Sequence, residues 1–497
     1  MKAGMKEQPG EIPEDRTLEI SGEQFREWTG QALDYLQAYV TSLPSQPMGS
    51  ARAAGAGDAT APVMAPEPVP HQGVPLDRLL EDLFQRAIPG GFNTASPGYL
   101  GYIPGGGILH AALADFIAAA VNRYVGVYVA APELVALEAQ VLLWFAQMTG
   151  LPATARGILT SGGSMANFTA VVTARSTRLP ENFLGGVLYV SDQTHHSVAK
   201  AARMAGFPVA AVRQIPSDEF WCMRVDDLKA AIDQDRAAGR TPFMVVASAG
   251  TTNTGAVDDL PGLARLCARE QLWFHVDAAY GGFFCLTKKG KKALAGMEKA
   301  DSITMDPHKG LFLPYGTGAL LVRDGELLRR AHSTTADYMP ATQETTDPLV
   351  QDFCEYGPEL SRSFRGLRIW LPLKLHGIAP FIANLEEKLA LTLYAADALR
   401  AMENMEILAE PQLSIVAFRL TRQGFSAAAT NDLNRRLLAR IQAHDRVFLT
   451  ATNLRGVFAL RICVLSFRTH KDRIDETLGL IAREAAGLGS QPAIEQE

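Results

Sequence analysis

From about Gly157 onward the chain alternates short apolar runs with amphipathic segments, and this alternation restricts the fold more than any other feature. The runs "GVLYVSD", "PFMVVASAG", "LWFHVDAAYGG", "SITMDPHKG" and "GTGALLVRD" have the length and β-branched content of strands. Between them "SMANFTAVVTARSTR", "HSVAKAARMAG", "VDDLKAAIDQDRAAG" and "DLPGLARLCAREQ" have helical periodicity. Strands alternating with helices predict an α/β fold with a mostly parallel sheet buried on both faces. Ligands of such sheets gather at the carboxyl ends of the strands, where this chain places several unusual polar residues.

The flanking regions read differently. "LEISGEQFREWTGQALDYLQAYVTSL", Leu18 to Leu43, has helical periodicity with Ser21 as its cap and Gln24 at the capping-box spacing. The Ala-, Gly- and Pro-rich "SARAAGAGDATAPVMAPEPVPHQGVP" that follows reads as an extended arm. After His376 a long helical stretch leads to "LSIVAFRL", the helix "NDLNRRLLARIQAH" and "VFALRICVLSF", an α+β pattern. The expected division is an N-terminal helical segment and arm over 1–95, a large α/β domain over 96–375 and a small α+β domain over 376–497.

A net charge of −6 argues against nucleic acid or an anionic membrane as partner, since both select basic faces. A small soluble substrate is the expectation. Cys222, Cys267, Cys285, Cys354 and Cys463 are odd in number and scattered without a Cys-x-x-Cys pair, which excludes the usual zinc spacings and a disulfide framework. No metal site is expected. The polar start "MKAGMKEQPGEIPEDR" lacks a signal-peptide core, and Asp115, Asn122 and Arg123 interrupt the most apolar long segment. These features lead us to expect a cytoplasmic, membrane-free protein.

Four stretches carry chemistry. "TSGGSMANFTA", Thr160 to Ala170, sets glycines and serines at a strand-to-helix junction, where backbone N–H groups can face an anion. Alone it reads as a tight turn with an N-cap. His195 follows the run "GVLYVSD" at a strand end, where an imidazole either caps or stacks on a planar ligand. Asp277 ends "LWFHV", and an acid there needs a cation or donors beside it. Lys309 ends the next run, which is a costly place for an ammonium unless it is solvated or functional. Together, in this order, the four are what a pyridine aldehyde phosphate requires: an anion cradle, a stacking ring, an acid for the ring nitrogen and an amine for the aldehyde.

"SPGYLGYIP", "TSGGSMANFTA", "SDQTHHSVAKAA", "HVDAAYGG" and "MDPHKG" closely resemble the motifs of the group II pyridoxal-phosphate decarboxylases, above all the aromatic-L-amino-acid decarboxylase branch, from about Leu33 to Asp475. The resemblance implies a PLP-dependent transferase fold of type I, pyridoxal 5'-phosphate as cofactor, and a homodimer with shared active sites whose N-terminal segment wraps the partner. By the same resemblance Lys309 matches the Schiff-base lysine, Asp277 the partner of the ring nitrogen and His195 the stacking residue. Gly163, Ser164 and His308 match residues around the phosphate with Asp306 nearby, Thr251 a residue near the cofactor oxygen, and Ala279 a small residue under the ring.

Tyr338, in the polar stretch "HSTTADYMPATQETTDP", matches the tyrosine that returns a proton to Cα. Family members that make aldehydes replace that tyrosine or alter the stacking histidine, so this chain is expected to release an amine. Tyr99, Tyr102, Tyr124 and Tyr128 match positions near the substrate side chain, partly across the dimer interface, and favour an aromatic substrate. Arg362 and Arg365 lie in an Arg-rich segment where Ser363 replaces one arginine, and they receive no role. The alternatives are a decarboxylase of acidic or diamino acids, an aromatic aldehyde synthase and, more distantly, a binding protein on the same scaffold.

Overall fold

The computed structural model describes residues 18–49, 66–334 and 346–489. The chain divides into two compact units, Met1–Asn93 and Thr94–Glu497. In the first, the helix Gly22–Ser42 starts at Ser21, whose Oγ accepts the Gln24 N–H at 3.1 Å, as the capping spacing predicts. This helix buries none of its residues, and Leu33 and Leu36 remain exposed on it. Tyr35 meets Phe84 with ring centroids 5.2 Å apart.

The second unit is built on a seven-stranded sheet of β1 (Arg156–Thr160), β2 (Gly186–Ser191), β3 (Val212–Ile215), β4 (Thr241–Ser248), β5 (Trp273–Ala278), β6 (Ser302–Met305) and β7 (Gly318–Val322), in the order β1-β7-β6-β5-β4-β2-β3. The pairs β2–β3, β2–β4, β4–β5 and β5–β6 are parallel, whereas β7 runs antiparallel to both β1 and β6. The expected mostly parallel sheet is therefore present. β3 is absent from the apolar runs of the sequence because it is an edge strand of four residues, of which only Ile215 is buried.

Register matters for function here. His275 lies opposite Ser302 and Asp277 opposite Thr304 across the β5–β6 pair. Alternate residues of a strand share a face, so Trp273, His275 and Asp277 on β5 align with Ser302 and Thr304 on β6 on one buried face. The helix Gly163–Arg178 packs over this part of the sheet and buries Asn167.

A four-stranded antiparallel sheet follows, formed by β8 (Met405–Ala409), β9 (Ile415–Leu420), β10 (Thr450–Leu454) and β11 (Val457–Cys463) in the order β10-β11-β9-β8. Its core includes Val416, Phe418, Leu437, Ile441 and Ile462. Tyr99 bridges to Phe448, and Leu100 donates to the Phe448 carbonyl at 3.0 Å and accepts from Cys463 N at 2.9 Å. A stretch that precedes the large sheet in sequence thus runs along the small one. The apolar segment around Asp115 forms the helix Leu109–Val121, which ends at Asn122 in the left-handed region with φ of 44°. Among the described residues no helix is long and apolar enough to cross a membrane.

Candidate active site

A cavity of about 270 Å³ opens where the carboxyl ends of β4, β5 and β6 meet the amino end of the helix Gly163–Arg178. Gly163, Ser164, His195, Thr251, Asp277 and Lys309 all line it. So do the other three residues that the sequence points to for the cofactor, Ala279, Asp306 and His308. Far separated in sequence, these nine meet because each sits at the end of a strand or in the turn after it.

The helix supplies the cradle. Its first internal bond runs from Met165 N–H to Gly162 O at 3.0 Å, so the N–H groups of Gly163 and Ser164 lie ahead of the helical ladder and face the cavity end. Gly162 has φ of 154°, a conformation that favours glycine. A Cβ on Gly163 would come within 3.0 Å of both Ala279 Cβ and Asp306 Oδ2, so a side chain there would intrude on the cradle's floor.

Opposite stands the acid. Asp277 accepts Asn167 Nδ2–H on Oδ2 at 3.0 Å and Ala279 N–H on Oδ1 at 3.2 Å. Asn167 also donates to Ser197 Oγ at 3.0 Å, and that hydroxyl lies 2.7 Å from His195 Nδ1. Burial pushes His195 below the ordinary histidine range, against the pull of the Asp277 carboxylate. Burial does the same to His308, whose Nδ1 faces the Thr317 carbonyl.

Lys309 places Nζ 3.1 Å from Asp306 Oδ2. The other oxygen of Asp306, Oδ1, is buried without a hydrogen-bond partner. A buried carboxylate with a free oxygen, an amine beside it, an imidazole face and unpaired N–H groups at a helix end form one donor and acceptor set, which fits a coenzyme carrying an aldehyde, an anionic phosphate and a basic ring nitrogen. Thr251, almost fully buried, holds its own loop by accepting Ala256 N–H at 3.1 Å.

The remaining residues lie elsewhere. None of Tyr99, Tyr102, Tyr124 and Tyr128 lines this cavity. Tyr99 stacks on Phe448 with centroids 5.3 Å apart, Tyr102 is exposed, and Tyr124 donates to the Leu360 carbonyl at 3.1 Å. The Tyr128 backbone N–H donates to Asp352 Oδ1 at 2.7 Å. Tyr338 lies outside the described residues. Arg362 forms a fully buried ion pair with Glu138, and Arg365 pairs with Glu359 at 2.6 Å.

Sequence reasoning missed Asn167, Ser197, His275, Ser302 and Thr304. A signal was present: polar residues at every second position of two neighbouring runs, W-x-H-x-D and S-x-T-x-D, are unexpected in strands buried on both faces.

Comparison with known proteins agrees with this geometry. The model of the pyridoxal-dependent decarboxylase conserved domain matches residues 60–421. An aromatic-L-amino-acid decarboxylase of Bacillus atrophaeus is 33% identical over 91% of this chain and 93% of its own. A phenylacetaldehyde synthase of Arabidopsis thaliana is 28% identical over 94% of this chain and 97% of its own. The crystal structure of Catharanthus roseus tryptophan decarboxylase in complex with L-tryptophan superposes with a TM-score of 0.87 at 28% identity, covering 94% of this chain and 99% of that one.

The fold is that of the type I pyridoxal-phosphate enzymes. Within that class, this chain belongs to the pyridoxal-dependent decarboxylase family. Its cofactor is pyridoxal 5'-phosphate and its chemistry is removal of the carboxylate from an amino acid.

Proposed function

We propose that the substrate is an L-amino acid with an aromatic side chain and that the products are the corresponding amine and CO₂. The observation that carries this reading is the convergence of Lys309, Asp277 and His195 on one cavity in a chain whose relatives include aromatic-L-amino-acid and tryptophan decarboxylases.

When bound, pyridoxal 5'-phosphate supplies an electron sink for the pair left at Cα as CO₂ departs. Lys309 would hold the coenzyme through its ε-amine, which lies at the cavity wall 3.1 Å from Asp306. Asp277, whose oxygens accept two N–H groups, would face the ring nitrogen and hold its proton there. His195 would stack on the ring, and Gly163, Ser164 and His308 would hold the phosphate, with Asp306 fixing the position of Lys309. Thr251 and Ala279, which line the same cavity, would complete the wall around the ring. Tyr338 returns the proton to Cα. Tyr99, Tyr102, Tyr124 and Tyr128 shape the substrate pocket once a second subunit is in place.

The protein acts as a cytoplasmic homodimer in this reading. The helix Leu109–Val121 supports it, because Leu113, Phe116 and Val121 form an exposed apolar face that association would cover. Residues 1–95 are the arm that wraps the partner, 96–375 the cofactor domain and 376–497 the small domain. A second reading, aldehyde formation, is favoured by the similarity to phenylacetaldehyde synthase, whereas Tyr338 and His195 favour the amine.

The test is purified holoprotein assayed with phenylalanine, tyrosine, tryptophan, dopa and glutamate, with amine, aldehyde and peroxide all measured. Amine from at least one aromatic substrate is expected. Amine from glutamate alone would overturn the substrate class, and aldehyde with stoichiometric peroxide would establish the second reading. Borohydride reduction followed by peptide mapping should leave the label on Lys309.

A further inference from the structure

Beneath the cavity the polar residues of β5, β6 and the helix Gly163–Arg178 form a continuous series of hydrogen bonds. We propose that this series has a single direction, from Trp273 through Ser302, His275, Asn167 and Ser197 to His195, and that it fixes the His195 tautomer with its proton on Nε2 while aiming an N–H at Asp277.

The direction follows from its two unambiguous groups, the Trp273 indole and the Asp277 carboxylate. An indole N–H can only donate, and Trp273 Nε1 lies 2.8 Å from Ser302 Oγ. Ser302 therefore accepts there and has one proton to give. Its other partner is His275 Nδ1 at 2.7 Å. Since a hydroxyl can also accept twice, the far side of the ring settles the direction: Nε2 faces the Asn167 amide oxygen at 3.1 Å and must carry the proton, leaving Nδ1 to accept from Ser302. His275 is buried completely, and desolvation pushes it down to about 4, so the ring is neutral at pH 7 and carries that one proton only.

The next step reverses an ambiguity usual for amides. His275 Nε2 lies 3.1 Å and Thr304 Oγ1 2.8 Å from Asn167 Oδ1, so two donors converge on the amide oxygen. The amide nitrogen then faces Asp277 Oδ2 and Ser197 Oγ, each at 3.0 Å, with one proton for each. A flipped amide would set oxygen against carboxylate and N–H against two donors. Ser197 Oγ, having accepted from Asn167, gives its own proton to His195 Nδ1 at 2.7 Å, and the Ser197 backbone N–H points at the same nitrogen at 3.3 Å. His195 therefore keeps its proton on Nε2.

Asn167, His275 and Ser302 act through other residues and are positioning residues. Their effect on catalysis rests on the proposed decarboxylase reading, but the tautomers do not. The experiment is nitrogen-15 NMR of holoenzyme labelled with [15N]histidine at pH 7.5, with His195 and His275 assigned by loss of signal in His195→Gln and His275→Gln. Both rings should show an unprotonated Nδ1 and a protonated Nε2. A protonated Nδ1 on either ring overturns the proposal.

Ser302→Ala should turn the single His275 tautomer into a mixture, and Ser302→Thr, which retains the hydroxyl on a strand, should restore it. A His275 spectrum unchanged by Ser302→Ala also overturns the direction. Asn167→Asp should shift the visible band of bound coenzyme and lower kcat about 100-fold with KM changed less than threefold; an unmoved band and an unchanged kcat would remove Asn167 from the role. If no amino acid is decarboxylated while the histidine tautomers are as stated, the function fails and this inference stands.

Discussion

Two cations, one fully enclosed beside the small sheet and one half-buried at the large sheet, show how this fold separates chemistry from support. Arg461 on β11 is almost fully buried and spends its donors on fixed oxygens: Nε on Asn253 O at 2.9 Å, Nη1 on Thr450 Oγ1 at 2.9 Å, and Nη2 on Tyr102 O at 3.3 Å and on Thr252 O. No carboxylate among the described residues forms an ion pair with it. Lys309, after β6, has a carboxylate at 3.1 Å, yet its side chain remains 22% exposed toward the cavity. A cation whose donors are all engaged by backbone and hydroxyl oxygens acts as a clamp. One held by a single carboxylate and facing a cavity keeps donors free to exchange bonds.

The comparison is broken most directly at Lys309. Lys309→Ala removes the only amine among the described residues of the cavity wall, and turnover should fall by about 10⁴-fold or more, while the far-ultraviolet circular dichroism stays that of the wild type. Retained turnover would leave the two cations functionally alike. Arg461→Met is the reciprocal change. It strands the carbonyls of Thr252, Asn253 and Tyr102 and should cost about 3 kcal/mol in urea unfolding. Its effect on turnover should be far smaller than that of Lys309→Ala. If Arg461→Met instead lowers kcat as much as Lys309→Ala without loss of stability, the clamp reading is wrong.

The difference between the two cations was only half visible in the sequence. Lys309 and Asp277 stood out because each charged residue ends an apolar run, where it needs a partner, and because they follow the glycine–serine turn and His195 in the order that one coenzyme requires. The parallel sheet was legible for the same reason, through its buried runs, and β3 escaped because only one of its four residues is buried. Asn167 and His275 are 108 residues apart, and nothing local says that a helix will set one over the other. Arg461 gives no signal in the sequence, since three of its four acceptors are backbone carbonyls that have no residue identity to read. The four tyrosines expected near the substrate lie off the cavity of one chain, and their assignment depends on a subunit contact that periodicity does not encode.

The sheets should also differ in their response to acid. His275 is neutral in the folded protein, with its pKa pushed down to about 4 by burial, and takes up a proton on unfolding below its ordinary value near 6.5. Its contribution to stability is complete above about pH 6.5 and is lost as the pH falls toward 4, because the unfolded chain then binds more protons. Asp258, pushed up to about 6 by burial, works in the opposite sense over part of the same range, so a variant comparison is needed to isolate the histidine. Between pH 7 and pH 5 the stability advantage of wild type over His275→Gln should shrink by about 2 kcal/mol. The corresponding difference for Arg461→Met should stay constant, since a guanidinium does not titrate there. Parallel pH dependences for the two pairs would mean that the polar face of β5 and β6 is hydrated rather than buried.

The smallest effect tests whether support in the small sheet's layer can be altered with no trace in the chemistry. Ser426 caps the helix Ala427–Ala443, accepting the Ala429 N–H on Oγ at 3.2 Å, and that helix covers β9 and β11 through Leu433, Leu437 and Ile441. Ser426→Ala leaves one N–H of the first turn without its side-chain acceptor, and because the site is exposed, water replaces much of what is lost. The cost should be about 1 kcal/mol in urea unfolding. It should not reach the cavity, since none of the helix's residues lines that space, so kcat and KM should match the wild type. A kcat that falls together with the unfolding midpoint would show that motion of this helix is transmitted through β11 and Arg461 to the Thr252 and Asn253 carbonyls beside the cofactor loop, and the clamp would then be part of the working site.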